Sequence, residues 1–263
     1  VANPKLAYLT CKWNDRGDKF CAGTSSKNLF IGYYNGSSNW WMGINIKAHK
    51  SSVCTCEIDP SSLYVISGST DLRVCVSSCY LPQVDDNKIS AEVKASAKKF
   101  GDILYEFRAG SWITSVCWNK SGNLGFAACQ NATIAVVDYK KGSSEIIKLT
   151  HSPITNVIQN GDDSFYAVSY DRNIYDYQCS GGKWNIKTLI TSDAGKAKGG
   201  AKTGGVSEAV KKFQNVNLQK KESLAVTTKQ NMHLHKSLIS SLAIKGKTII
   251  TTDVTGFVKY WNI

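Results

Sequence analysis

The sequence contains no apolar run of about 18 residues, which is the length that a membrane-spanning helix requires. Its first residues, Val1 to Lys5, also lack the basic and then apolar pattern of a secretory signal peptide. From these two absences we expect an intracellular protein without a membrane partner.

Catalytic signatures are missing as well. The chain has no G-x-S-x-G, no phosphate-binding P-loop, no H-E-x-x-H and no kinase signature. It has only four histidines, and none has the flanking residues typical of a nucleophile and base pair. We therefore predict a protein that is not an enzyme, has no catalytic residues and needs no cofactor.

Cysteine is present, but its distribution argues against disulfides and metal sites. The nine cysteines are scattered and odd in number, which favours free thiols in the cytosol or nucleus. Cys54 and Cys56 would share one face of a strand, yet no second pair or histidine completes a zinc site. We expect no metal.

Basic residues are in excess. The 263 residues include 32 lysines and arginines against 20 acidic residues, a net charge of +12. Such a surplus attracts acidic partners over long distances, and acidic proteins, nucleic acids and anionic membranes all qualify. Charge alone does not choose among them.

Internal repetition is the strongest positive signal in the sequence. Each repeat has an alternating strand, a polar turn, a strand with small residues, a second turn and a third alternating strand. The five repeats lie at 9–34, 53–81, 113–139, 154–177 and 239–263. Matched positions recur after 45, 60, 41 and 85 residues. The longer steps predict insertions at about 82–99 and 191–230.

A repeat period of about 40–45 residues is typical of WD-type β-propellers. Short strands at this spacing also suit a sandwich or a closed barrel, but a steady period favours radial repetition. We predict an all-β fold and a single WD-repeat propeller domain over residues 1–263. Five blades are recognisable, and we interpret them as the later part of a seven-bladed propeller.

Histidine and aspartate recur at positions that WD repeats use for structure. His49 stands four residues before Val53, and Asp71 lies in a later turn of the same repeat. We assign structural blade positions to His49, Asp71, Asp171, His235 and Trp261. In the last repeat Thr255 stands where an aspartate partner of His235 is expected, and Asn131 replaces aspartate in the third.

The second insertion predicts an arm outside the propeller. Residues 195–205 are rich in glycine and lysine, which is typical of a flexible linker. Residues 206–215 predict a short helix that begins at Ser207 and carries Val206, Val210 and Phe213 on one stripe. Such a short helix is marginal in isolation, so it docks either on its own propeller or in a groove on a partner.

Two adjacent tryptophans form a second candidate contact. Trp40 and Trp41 fall next to an outer strand, where neighbouring residues face opposite ways, so only one of them can be fully buried. Tryptophan is enriched among interface anchors. The other tryptophan is either covered by an insertion or open to a partner.

Particular stretches, taken in order along the chain, resemble one family. They are 39–41 with 46–47, 68–71, 100–104, 213–215, 235–236 and 251–252. In this order they are similar to subunit 1 of the actin-related protein 2/3 complex. The resemblance implies a structural subunit of a seven-member assembly that nucleates branched actin filaments, located in the cytoplasm and cytoskeleton.

The resemblance also implies the partners. The propeller packs against the other subunits, and the arm projects toward the mother actin filament or its regulators, with Phe213, Gln214 and Asn215 at the contact. Lys211 and Lys212 would add attraction to an acidic surface. Family members have a seven-bladed propeller, so the resemblance implies two further blades before the first repeat.

Two other functions compete with this prediction. One is a propeller adaptor that serves another assembly, on the spindle or on chromatin, which would place the protein in the nucleus. The other is nucleic-acid binding through the basic arm. It is not favoured, because the arm lysines lack interleaved aromatic residues for base stacking.

Overall fold

The computed structural model describes residues 7–190 and 235–262. The predicted arm helix at 206–215, and with it Val210, Lys211, Lys212, Phe213, Gln214 and Asn215, lies outside the described residues.

The described chain folds into five antiparallel sheets, and consecutive strands along the chain are neighbours in each sheet. Four sheets have four strands, and the fifth has three. Blade 1 contains β1 (Tyr8–Trp13), β2 (Lys19–Thr24), β3 (Leu29–Asn35) and β4 (Trp40–Ile46). Blade 2 contains β5 (Val53–Ile58), β6 (Tyr64–Ser69), β7 (Arg73–Ser78) and β8 (Ile103–Arg108).

The other three blades follow the same plan. Blade 3 contains β9 (Ile113–Trp118), β10 (Gly125–Cys129), β11 (Thr133–Asp138) and β12 (Ser143–Lys148). Blade 4 contains β13 (Ile154–Gln159), β14 (Ser164–Ser169), β15 (Ile174–Ser180) and β16 (Lys183–Ile190). Blade 5 contains β17 (Ile239–Lys245), β18 (Thr248–Asp253) and β19 (Val258–Asn262).

The first strand of each blade is the innermost, and these strands contact one another in the order β1, β5, β9, β13 and β17. This radial arrangement confirms the predicted all-β propeller with five blades. The three-strand repeat pattern left out the outer strands β4, β8, β12 and β16. These strands are largely exposed, so their sequences lack the pattern shared by the inner three.

The hydrophobic core of the described residues consists of four clusters, one between each pair of neighbouring blades. A middle strand therefore packs on both of its faces. All five residues of β10, for example, are buried. Burial on both sides explains why the middle strands are rich in small apolar residues instead of alternating with polar ones.

One turn recurs in the same backbone conformation in every blade. Between the second and third strands a residue takes a positive φ of 57° to 88°. These residues are Lys27, Leu72, Ala132, Arg172 and Gly256. Only blade 5 uses glycine, the residue that adopts this region without steric cost.

Two short helices, α1 (Pro82–Asp85) and α2 (Ala91–Ser96), lie between β7 and β8. They fall within the stretch that the repeat spacing predicts to be an insertion. The carboxylate of Asp85 is buried and accepts a hydrogen bond from Lys19 Nζ at 2.8 Å, and it is also paired with Arg16. Lys19 is fully buried and donates to the Cys79 carbonyl as well. The insertion thus clamps blade 1 to blade 2.

Neither helix of the described ranges is long and apolar enough to cross a membrane.

Candidate partner-binding surface

The histidine of blade 2 takes part in a buried hydrogen-bond network. His49 Nδ1 lies 3.2 Å from the Asp71 carboxylate, which can only accept, so this nitrogen donates. Ser67 then donates to Nε2 at 2.8 Å. Burial lowers the pKa of His49, which keeps the ring neutral. Both ring nitrogens are used inside the blade, so His49 has no nitrogen free to act on a substrate.

Blade 5 contains a more complete version of this network. His235 Nδ1 donates to Asp253 at 2.9 Å, and Nε2 accepts from Thr251 at 2.7 Å. Trp261 Nε1 donates to the same Thr251 hydroxyl at 2.8 Å. The partner of His235 is therefore Asp253, two residues before the position that comparison of the repeats assigns, and Thr255 donates to its carboxylate.

In blade 4 the aspartate has a different partner. Asp171 accepts from the Tyr175 hydroxyl at 2.6 Å, while His151 stacks on the Tyr175 ring at 3.8 Å. Tyr177 donates to His151 Nε2 at 2.6 Å. Three of the four histidines lie in the described part of the chain, and each has both ring nitrogens in hydrogen bonds within the fold.

A cleft of about 510 Å³ opens where the inner strands end, and Trp13, Trp118 and Lys120 line it. Its central charges are paired with each other. Lys12 forms an ion pair with Glu57, and the Trp118 backbone N–H donates to Glu57 at 3.1 Å. Burial acts to lower the pKa of Lys12, but Glu57 outweighs it and raises the pKa. The lysine remains charged and is not a base at neutral pH.

The most unusual surface is the front face of blade 1, meaning the face turned away from blade 2. Six aromatic rings form one connected group there. Trp13 lies 5.2 Å from both Phe20 and Trp41, and Tyr34 lies 5.6 Å from Trp41. Phe30 links Phe20 to Tyr8.

Two glycines allow this aromatic group to lie flat on the sheet. A side chain at Gly32 would meet the Phe20 ring at 2.2 Å, and one at Gly43 would meet the Phe30 ring at 1.9 Å. Both distances are shorter than any real contact, so only glycine leaves room for the rings.

In blade 3 the face equivalent to the front face of blade 1 is buried against a neighbouring blade. Trp118 ends β9 as Trp13 ends β1, and both begin the same kind of hairpin. Trp118 is 1% exposed, since it packs against blade 2 and donates from Nε1 to the Glu57 carbonyl at 3.0 Å. Trp13 is 56% exposed. In residues 7–190 and 235–262, no blade covers the front face of blade 1.

The two tryptophans that the sequence predicts as partner contacts, Trp40 and Trp41, are the first two residues of β4. They point to opposite faces, as expected for neighbours on a strand, but neither is buried. Trp40 is 72% exposed and Trp41 is 41% exposed. The insertion at 82–99 does not cover them.

Sequence reasoning missed the other members of the aromatic group, Tyr8, Trp13, Phe20, Phe30 and Tyr34. A signal was available, because Phe20 and Phe30 stand where the equivalent positions of blade 3 have Gly125 and Ala135. The repeats show that these positions face a neighbouring blade, but they do not show whether that blade is present.

The fold and these surfaces can now be compared with known proteins. Residues 43–76 match the family model described as "WD domain, G-beta repeat". The chain is 25% identical over 262 residues to actin-related protein 2/3 complex subunit 1A-B of Xenopus laevis, covering 95% of this chain and 69% of the relative. The similarity to subunit 1 thus extends over nearly the whole chain.

Subunit 1 relatives from other kingdoms agree. Subunit 1B of Arabidopsis thaliana is 26% identical over 98% of this chain and 71% of its own length. Subunit 1 of Schizosaccharomyces pombe is 22% identical over 88% of this chain and 65% of its own length. The resemblance drawn from short collinear motifs is thereby confirmed over nearly the whole chain.

Proposed function

We propose that the protein is a non-enzymatic scaffold subunit of an actin-related protein 2/3 complex, where it supports nucleation of branched actin filaments through protein contacts. The observation that carries the proposal is the similarity to subunit 1 proteins of frog and plant over 95% or more of this chain. A similarity of this length includes all five blades.

The side chains of the described residues support a role in binding and not in catalysis. The three histidines of residues 7–190 and 235–262 are used in hydrogen bonds within blades, and Lys12 and Glu57 in the central cleft neutralise each other's charge. What the described surface offers instead is exposed apolar area on the outer strand β4, where Trp40 is 72% exposed. Large exposed apolar patches mark protein interaction sites in soluble proteins.

The partners proposed are the other subunits of the complex and the actin filament, with the cytoplasm and cytoskeleton as the location. We place the filament contact on the arm, at Phe213, Gln214 and Asn215, with Val210 beside them on the apolar stripe. The net charge of +12 favours an acidic surface such as actin. Nucleic acid and membranes are not among the proposed partners.

The test is to purify the full-length tagged protein from its native cells at moderate salt and identify the proteins that co-purify. Recovery of two actin-related proteins in equal amounts with the tagged chain, together with filament-branching activity, is the expected result. A preparation free of actin-related proteins would reject the proposal in favour of an adaptor for another assembly.

The arm is tested separately. Phe213→Ala is expected to weaken filament binding by ~2 kcal/mol, the loss typical of an interface hot spot, without loss of the complex itself. Gln219→Ala, on the same arm but outside the proposed contact, is the matched control. If the two variants bind filaments equally well, the arm contact is wrong while the scaffold function stands.

A further inference from the structure

The four outer strands of the described blades differ in how they protect their free edges. An outer strand exposes unpaired backbone N–H and C=O groups, and proteins protect such edges with charged residues, prolines or bulges. Strand β8 has Glu106 and Arg108, β12 has Glu145 and Lys148, and β16 has two lysines. Strand β4, with the sequence WWMGINI, has no charged residue.

Strand β4 also lacks a β-bulge, which is another feature that protects a free edge. It pairs with β3 through seven consecutive residue pairs without a register shift. The ladders of β8 with β7 and of β16 with β15 each contain a bulge. A regular ladder leaves the free edge of β4 straight and evenly spaced, as a further strand requires.

The side chains of β4 are apolar on one face, and the other face carries Trp41 together with the polar Asn45. Trp40, Met42 and Ile44 point to one face, and Trp41 points to the other, where it continues the aromatic group of blade 1. Every residue of β4 except Ile46 is exposed. An added strand would therefore gain backbone hydrogen bonds along its length and apolar contacts with three side chains on one face and with Trp41 on the other.

We propose that β4 is a strand-addition site, which binds an extended, apolar segment of an acidic partner protein. Backbone pairing along the edge supplies much of the affinity in this mode, and pockets for alternate side chains supply the specificity. The proposal rests on β4 alone and does not require assembly with actin-related proteins.

The net charge of the chain favours a partner protein over a second copy of this chain as the molecule that binds β4. Two copies that paired their β4 edges would each bring a net charge of +12, which opposes self-association. An acidic protein is attracted by the same charge. The occupant is therefore an uncharged strand carried on an acidic protein.

Direct binding to the full-length chain tests the proposal. The probe is a capped synthetic peptide of alternating valine and threonine with glutamates at both ends. The control peptide has proline in place of its central valine, which removes a backbone donor. The measurement is hydrogen–deuterium exchange of the amides of residues 40–46, with those of 143–148 on β12 as an internal reference.

We expect the valine–threonine peptide to slow exchange in β4 and leave β12 unchanged, while the proline peptide does neither. Met42→Lys and Ile44→Lys place a charge on the edge and should each weaken binding about tenfold, the effect of losing one hot-spot contact. Ile146→Lys, at an exposed position of β12, is the matched control and should bind as the parent chain does.

Three results would overturn the proposal. Exchange in β4 could be unaffected by the peptide, or slowed equally by the proline peptide. It could also slow with protein concentration when no peptide is present, which would assign the edge to a second copy. Exchange in the other blades reports whether each variant is folded, so loss of binding is distinguished from loss of structure.

Discussion

Blades 1 and 3 are built on the same plan, but their front faces have opposite surroundings. In blade 3 the front face holds Trp118 beside small residues and is sealed against blade 2. In blade 1 the equivalent face holds Trp13 among five other rings and is exposed. The same strand position thus serves as core in one blade and as surface in the other, depending on its neighbour.

The largest expected effect on stability comes from replacing each of the two equivalent tryptophans, one at a time, with alanine. Trp118→Ala should lower the free energy of unfolding by about 4 kcal/mol, because it leaves a cavity and removes the hydrogen bond to the Glu57 carbonyl. Trp13→Ala should cost less than about 1 kcal/mol, since over half of its surface is already exposed. Chemical denaturation measures both, and equal losses would contradict the comparison.

The back face of blade 1 offers a second test, since it is held by a buried ion pair. Lys19→Ala leaves the Asp85 carboxylate buried with only Arg16 as a cationic partner, and should cost about 3 kcal/mol. Lys12→Ala, which breaks a partly exposed pair with Glu57, should cost about 1 kcal/mol. Urea denaturation of both variants checks the order, and a larger loss for Lys12→Ala would show that the clamp contributes little.

Lowering the pH should destabilise blade 2 through its histidine, whereas blade 3 should show no such effect. The folded-state pKa of His49 is lowered by burial below its ordinary value of 6.5, so the unfolded chain takes up this proton first. Stability is therefore retained above pH 6.5 and falls as the pH drops below it. The pKa of Asp71 is also lowered: burial opposes the shift, but the Lys50 N–H and His49 outweigh it. This second loss begins at about pH 4.

His49→Gln removes the titrating ring and should flatten the stability profile between pH 7 and pH 5. Blade 3 has Ala109 and Asn131 at the corresponding positions, so hydrogen exchange in its strands should show no such local dependence. A variant profile as steep as that of the parent chain would assign the pH effect to other groups.

The smallest effect concerns the turn between the second and third strands. Lys27 in blade 1 has a φ of 68°, where blade 5 has Gly256. Lys27→Gly should raise the free energy of unfolding by about 0.5 kcal/mol, because relief of left-handed strain exceeds the entropy cost of glycine. Thermal unfolding measures the change. A loss of stability would mean that the Lys27 side chain makes a contact of greater value.

The repeat pattern predicted the five blades and the inner three strands of each, because burial between blades imposes a fixed alternation and period. It could not predict the Lys19–Asp85 pair. These residues lie 66 positions apart, in a strand and an insertion, and no periodic rule connects them.

Asp253 was missed for a related reason. The sequence comparison fixed the turn position, but the ring of His235 can reach a carboxylate two residues earlier. Only the backbone path of the turn selects between them. The exposed front face of blade 1 was also beyond the sequence, because the same residues would serve equally well as core.

The clamp between α1 and blade 1 has a mechanical consequence. When a sheet is pulled at its outer strand, it tends to rotate about its inner strand. Its face then moves relative to the neighbouring blade. The buried Lys19–Asp85 contact joins the two blades across that sliding plane. We expect force applied at the exposed edge of β4 to reach blade 2 through this contact, so that two sheets bear the load instead of one.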